Sequence, residues 1–397
     1  MKIYEIGTGY TPIPAKMGAA TEIVVEELTQ AFLKKGIEVE ILDTTADDRE
    51  ETQLPIRQVW VPKWFQRTDV QLGIRHKLKR ILYSVSLAFL LKRLLKTESE
   101  TDIVLHFHNQ YNLFFFDILV PKKLRHNAKI IYTNHSYIWH GNWEDIQTII
   151  RKRYFQETHC LKMADYVFVL NEQTKRNIVE HIHVDAERVY LVPNGVNTEV
   201  YHPLTPKERD DNKNEYGLGG RRVFIHVGSV CERKNQLGAL SYLLPILQED
   251  KNAVFCYAGG VIDTEYKTRI EQLAIKNNIE NQVRFYGELS PGSELNRFYN
   301  LGDSMIFPSK AEGFSLVVLE AMAAGVPVMI EEALQFSLAD ACIRFNPEDF
   351  SLIAKEKLFN LSVLEMLADS ARHSVLSSYS WDRIAEIYLQ VLTGKYV

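Results

Sequence analysis

Two carboxylates with seven residues between them, Glu312 and Glu320, stand in the run Phe307-Pro-Ser-Lys-Ala-Glu312-Gly-Phe-Ser-Leu-Val-Val-Leu-Glu320-Ala-Met-Ala-Ala-Gly325-Val-Pro-Val328. The pattern predicts a strand ending at Phe307 and a loop carrying Glu312. A helix follows from about Ser315, an N-cap residue type, to Gly325, a C-cap residue type. Glu320 then lies in the helix behind the loop. The amides of Gly313, Phe314, Ser315 and Leu316 at the helix start are donors without intrahelical partners, suited to an anion or to sugar hydroxyls. Carboxylates arranged this way suit gripping two parts of one ligand. They do not resemble a close general acid/base pair, so glycosidase chemistry is not expected.

A second set of polar groups follows other predicted strands. Lys234, with Arg233 before it, closes the run His226-Val-Gly228-Ser229-Val-Cys-Glu-Arg233-Lys234-Asn235. His106, His108 and His135 fall at strand ends. A zinc reading of these three fails on ligand spacing and on the want of a carboxylate or thiolate partner, so no metal site is expected. For His106 and His108, a structural role or the lining of an acceptor site is expected. No Asp-x-Asp occurs in the chain; Asp47-Asp48 and Asp210-Asp211 lie in polar stretches. The four cysteines, Cys160, Cys231, Cys256 and Cys342, are far apart and form no Cys-x-x-Cys pair, so they read as small apolar residues in a reducing compartment.

These residues must be held by a repeating scaffold. Strand-like runs at Lys2–Gly7, Ile37–Asp43, Ile56–Val61, Asp102–Phe107, Lys129–Thr133, Tyr166–Leu170 and Val189–Val192 alternate with amphipathic stretches such as Thr21–Lys35, which ends on Gly36. The pattern restarts at Arg222–Gly228, Ala253–Ala258, Gln282–Tyr286, Ser304–Phe307 and Val326–Ile330. Between the two series, Pro203 to Gly220 is polar and reads as a linker. Alternation of this kind predicts an α/β fold with parallel sheets covered on both faces. A length of 397 residues exceeds what one core usually serves, so two doubly wound domains facing across a cleft are expected: 1–199, and 200–379 with 380–397 returning to the first.

Composition narrows the function classes. The chain is 46% hydrophobic and 24% charged with a net charge of −5, which gives no case for nucleic-acid binding. No signal-peptide core or membrane-spanning run is evident, and a cytoplasmic protein is expected. Within 63–96, nine Lys or Arg stand against the single acid Asp69. This reads either as a crossover helix with a solvated basic face or as a peripheral contact with the inner face of a membrane.

The glutamate stretch resembles the glutamate-x7-glutamate motif of the retaining transferases of glycosyltransferase family 4, which adopt the GT-B fold of two Rossmann-like domains. The resemblance covers nearly the whole chain. Val192-Pro-Asn-Gly-Val-Asn197 resembles the interdomain segment, and Tyr257-Ala-Gly-Gly260 a strand with its glycine turn. Arg284-Phe-Tyr-Gly287 resembles the strand leading to the base-binding loop, here Glu288 and Leu289, and Ser380-Trp381-Asp382 the start of the C-terminal helix. Ala15-Lys-Met-Gly18-Ala19 stands where a glycine-rich loop follows strand one, and Thr133-Asn-His135-Ser matches a strand-end histidine near the donor sugar.

The resemblance implies a hexosyltransferase that takes a nucleotide diphosphate sugar as co-substrate, with UDP the favoured nucleotide, and needs no other cofactor. It implies a glycan or lipid-linked acceptor in cell-surface polysaccharide synthesis, and retention of configuration with the departing phosphate helping to deprotonate the acceptor. Glu312 would contact the sugar, Glu320 the ribose and Lys234 the diphosphate. His135 would attend the sugar or, through its carbonyl, the developing positive charge. Gly18, Gly228 and Gly260 would complete the donor site. Cations and helix N-termini would take the place of a metal.

The chain departs from the family at several positions. Ala19 replaces a second glycine, and Ser315 a common one. Ser229 stands where an arginine usually pairs with the diphosphate, and Arg233 is the candidate to replace it. Two other readings stay open: a nucleotide-sugar 2-epimerase, which would share the architecture but is disfavoured by the Glu312/Glu320 motif and the His135 context, and a catalytically weak nucleotide-sugar-binding partner subunit, motivated by Ser229.

Overall fold

Runs rich in β-branched and aromatic residues become strands in both halves of the chain, and each is followed by a helix or a turn. The computed structural model describes residues 1–15, 20–66, 74–98, 102–153, 155–334 and 341–395. The chain separates into two units, Met1–Asn194 with Ile384–Val397, and Gly195–Arg383.

The first unit is built on a seven-stranded sheet: β1 (Lys2–Ile6), β2 (Glu38–Thr44), β3 (Ile56–Val59), β4 (Ile103–Phe107), β5 (Ala128–Asn134), β6 (Tyr166–Val169) and β7 (Val189–Leu191). The order is β3-β2-β1-β4-β5-β6-β7 and all pairs are parallel. β4 is buried along its whole length, as a central strand covered on both faces must be. The order reverses between β1 and β4, the switch point beyond which open α/β sheets collect ligands. Register across that pair puts Glu5 level with His106.

The helix Ala20–Lys34 buries Val24, Val25, Leu28, Ala31 and Phe32 on one side and ends before Gly36, whose φ of +73° is the left-handed turn a helix C-terminus uses. The helix Trp381–Leu392 begins within the Ser380-Trp381-Asp382 start read from the sequence. Its Tyr388 ring meets Phe168 at 4.6 Å and His106 at 5.3 Å.

Among the described residues the second unit has six strands: β8 (Arg222–Val227), β9 (Ala253–Ala258), β10 (Val283–Phe285), β11 (Ser304–Ile306), β12 (Val328–Glu331) and β13 (Ile343–Phe345). Its order is β10-β9-β8-β11-β12-β13, again all parallel, with the switch point between β8 and β11. The three-residue β13 was not legible in the sequence.

Nor was Pro203 to Gly220 a linker. Pro206–Glu215 is a helix with proline in its first turn. Thr205 and Glu208 form a reciprocal capping box, so a polar stretch is held helical by its start signal rather than by an apolar face.

None of the four cysteines is in a disulfide, and Cys160 and Cys256 are buried. Among the described residues no helix is long and apolar enough to cross a membrane. The basic segment forms the helix Ile74–Thr97, which packs Tyr83, Leu87, Ala88, Leu91, Leu94 and Leu95 into the core of the first unit. Not all its cations face solvent: Lys79 is buried and donates to the Tyr10 carbonyl at 3.1 Å, and Arg80 lies over the rings of Tyr10 and Tyr111. Arg67 and Asp69 lie outside the described residues.

Candidate functional site

The switch point of the second unit sends out two loops side by side, one after β8 and one after β11. The first turns on Gly228, whose φ of +150° is open to glycine and strained for other residues. Gly259, at the end of β9, packs so close that a Cβ there would sit 2.1 Å from the Gly228 carbonyl oxygen. This close backbone approach fixes where Ser229 to Asn235 begins. Asn235 then takes a left-handed φ of +57°, caps the helix Gln236–Glu249 through its side chain, and donates to the Pro308 carbonyl at 3.0 Å. The Lys310 amide returns a bond to the Arg233 carbonyl at 2.9 Å. Buried His226 donates to the Lys234 carbonyl at 3.0 Å; burial holds its imidazole down to about 3, so it stays neutral. The two loops are thus bound as one body.

That body presents Glu312. Its carboxylate is nearly buried and Oε1 gathers three donors: Lys234 Nζ at 2.7 Å, Arg233 at 3.1 Å and Ser309 Oγ at 2.6 Å. Lys234 is nearly buried too. Burial lowers its pKa, Glu312 opposes the shift and Arg233 adds to it. Arg233 also donates to the Ala311 carbonyl at 3.0 Å and keeps 36% of its side chain exposed. Glu312 and Lys234, named from separate motifs, are therefore in direct contact, and Arg233 joins them. Ser229 is half-buried and offers its carbonyl to Gln236 at 3.0 Å.

The helix of the motif is Leu316–Ala323, with Ser315 at the N-cap position. Its side chain does not cap. The Ser315 hydroxyl is buried, makes no bond to the first-turn amides and has no partner. Buried hydroxyls usually find a partner, and this one is an exception. Gly313 and Phe314 precede it in the same loop. Glu320 is not a solvated helix charge. It is 7% exposed and accepts the Tyr299 hydroxyl at 2.7 Å. Gly260 lies against Glu288, since a Cβ on it would meet the carboxylate at 3.0 Å, and Leu289 packs on the unit's core. Gly18 falls outside the described residues.

In the first unit, His135 follows β5 and is half-buried, with Nε2 3.0 Å from His108 Nδ1. His106 and His108 have the carboxylate partner that the sequence reading lacked: it is Glu5, more than a hundred residues away in the chain. Glu5, His106 and His108 bring three potential ligand atoms within 4.8 Å of one another. The distances are those of ring N–H to carboxylate bonds, and the second nitrogen of each ring is also engaged, by Thr133 and by His135.

The Glycosyltransferase Family 4 model matches residues 21–200, and the Glycosyl transferases group 1 model matches residues 208–334. The chain belongs to glycosyltransferase family 4. It is 25% identical over 229 residues to an uncharacterized glycosyltransferase of Methanocaldococcus jannaschii, across 55% of this chain and 57% of that one. It is 22% identical to spore coat protein SA of Bacillus subtilis, across 98% and 99% of the two lengths. Among solved structures, sucrose-phosphate synthase from Thermosynechococcus elongatus superposes over 99% of this chain and 100% of its own with a TM-score of 0.74 at 20% identity. The Anabaena protein HepE in complex with UDP and glucose superposes over 99% of both chains with a TM-score of 0.72 at 15% identity. The fold is GT-B, with two parallel-sheet Rossmann-like units.

Proposed function

We propose that the protein is a retaining glycosyltransferase that takes a sugar from a nucleotide diphosphate sugar, with UDP the favoured nucleotide, and delivers it to a glycan or lipid-linked glycan. The observation that carries this reading is the shared grip of Lys234 and Arg233 on Glu312, beside the orphaned Ser315 hydroxyl at a helix N-terminus.

Breaking the glycosidic bond leaves negative charge on the diphosphate. Lys234 and Arg233 supply positive charge beside the Gly313–Leu316 amides, preorganised by Glu312 and by the bonded loops. A diphosphate arriving there shares the two cations with Glu312, which is then free to accept from sugar hydroxyls. Glu320, with one oxygen on Tyr299, is placed to accept from a ribose. The leaving phosphate takes the acceptor proton, so no dedicated protein base is required. His135 attends the sugar.

Exposed Trp64, Leu78, Ile81 and Phe89 on the cationic segment, with exposed Trp60 just before it, accord with a peripheral membrane contact for a lipid-linked acceptor. The 2-epimerase and partner-subunit readings gain no separate observation.

A thermal-shift screen across UDP-, GDP-, ADP- and TDP-sugars tests the donor assignment. A binder at a hundredfold excess over its dissociation constant adds about 2.7 kcal/mol of apparent stability. No shift with any of the four would remove the basis of the proposal.

A further inference from the structure

Glu5, His106, His108 and His135 form a connected hydrogen-bond chain inside the first unit, and its proton positions follow from counting donors and acceptors. Glu5 Oε1 lies 2.9 Å from His106 Nδ1, and Oε2 lies 2.7 Å from His108 Nε2. Its side chain is fully buried. Burial by itself raises the carboxyl pKa, but the two histidines prevail and hold it down to about 2. An ionised carboxylate only accepts, so both facing nitrogens carry hydrogen.

His108 is neutral, because burial, with His106 beside it, lowers its pKa to about 4. Its single proton is on Nε2, which leaves Nδ1 a bare lone pair. His135 Nε2 sits 3.0 Å from that lone pair and must be the donor. Burial, with His108 and His106 adding, keeps His135 well below the ordinary histidine value, so it too is neutral. Its proton lies on Nε2 and its Nδ1 is an acceptor. On the other branch, His106 Nε2 lies 2.7 Å from the Thr133 hydroxyl, which lies 3.3 Å from the Tyr388 hydroxyl. Among the described residues His135 bonds only to His108, so Nδ1 has no partner there.

We propose that Glu5, acting through His108, is a positioning residue that locks His135 in its Nε2–H tautomer, so that the end of β5 offers an acceptor to a hydroxyl of a bound sugar. The identity of that hydroxyl rests on the glycosyl-transfer reading; the tautomer does not. An acceptor at Nδ1 takes a neutral sugar hydroxyl, whereas a carboxylate or phosphate oxygen there would meet it lone pair to lone pair. Glu5 touches no substrate in this scheme. It acts two residues away through the ring it orients.

Nitrogen-15 NMR of the histidine-labelled full-length protein tests this directly, since it separates protonated from bare ring nitrogens. His108→Gln and His135→Gln variants assign the resonances. The expected spectrum has His108 and His135 both neutral, with hydrogen on Nε2 and a bare Nδ1. A bare Nε2 on His135, or hydrogen on Nδ1 of His108, overturns the proposal.

In Glu5→Gln the amide turns an N–H toward one of the two rings and releases the constraint. His135 should then show mixed tautomers, and turnover of the donor found by thermal shift should fall about tenfold, as for one hydrogen bond. A pure His135 tautomer with unchanged turnover in that variant also overturns the proposal. Should Glu5→Gln not fold, the wild-type spectrum decides alone. If no nucleotide sugar binds, the transferase reading fails while the spectrum still judges the relay.

Discussion

Glu5 and Glu312 are both nearly inaccessible carboxylates placed at the switch points of their sheets, yet their partners differ in kind. Glu312 is held by two formal cations, Lys234 and Arg233. Glu5 is held by two imidazoles, of which His108 is neutral. In the proposed transferase reading, the two cations divide their charge between the resident carboxylate and an incoming diphosphate, so that reading assigns exchange to the site around Glu312. A neutral imidazole offers only a directed N–H, so Glu5 sets orientation and nothing about it needs to move. A buried carboxylate therefore shows its role through the charge of its partners rather than through its burial.

The largest test of the contrast removes the exchangeable cation. Lys234→Ala is expected to lower turnover of the donor by about 100- to 1000-fold, the usual cost of deleting one preorganised charge stabiliser. Arg233→Ala, at a more exposed group, should cost about tenfold in donor affinity. Isothermal titration and steady-state rates check both. If Arg233→Ala leaves donor affinity unchanged while Lys234→Ala lowers it, Arg233 does not replace the arginine absent at Ser229.

The next test addresses the neutral partner. The His108 pKa is depressed from 6.5 to about 4 in the folded chain, so the unfolded chain takes up this proton first. Stability from this group is complete above pH 6.5 and is lost as pH falls toward 4, by about 3 kcal/mol. Thermal melts of wild type and His108→Gln across that window should converge as pH falls, with Glu5, His106 and His135 as the neighbouring titrating groups. Parallel curves would mean that the fold does not lower the His108 pKa, and the contrast with Lys234 is lost.

The smallest test concerns the second carboxylate of the motif. Glu320→Gln keeps an acceptor for Tyr299 and removes only charge. Calorimetry should show binding of the matching nucleoside diphosphate weakened about tenfold, with little change in melting temperature. Unchanged binding would leave Glu320 with a structural role only.

Much of the fold was legible because each strand and each helix boundary is written locally. The runs at Ala253–Ala258 and Tyr166–Leu170 and the Gly36 stop needed no distant information. The stretch 203–220 was misread because its polarity outweighed the Thr205–Glu208 box, although the box was present in the sequence. β13 is three residues long, too short for periodicity to reveal. In the donor constellation, Glu312, Lys234 and Arg233 were legible as residue types. The bond between Glu312 and Lys234 spans 78 positions and depends on β8 lying beside β11. The orphaned Ser315 hydroxyl and the Tyr299 partner of Glu320 had no sequence signal. Neither did Glu5, which in an apolar strand reads as a charge on a strand face.

The amino-acid sequence by itself determined the alternation of strands and helices, the glycine turns, the helix that opens after Glu312, and which side chains carry charge. Those properties depend on backbone preference and on the period of apolar residues, which act over a few positions. Only the tertiary structure decided which charges meet. Parallel pairing sets β1 against β4 with Glu5 opposite His106, and it sets the loops after β8 and β11 side by side. Strand order and register are set by packing whole sheets between helices, and that packing turned isolated glutamates, histidines and a lysine into two sites with different chemistry.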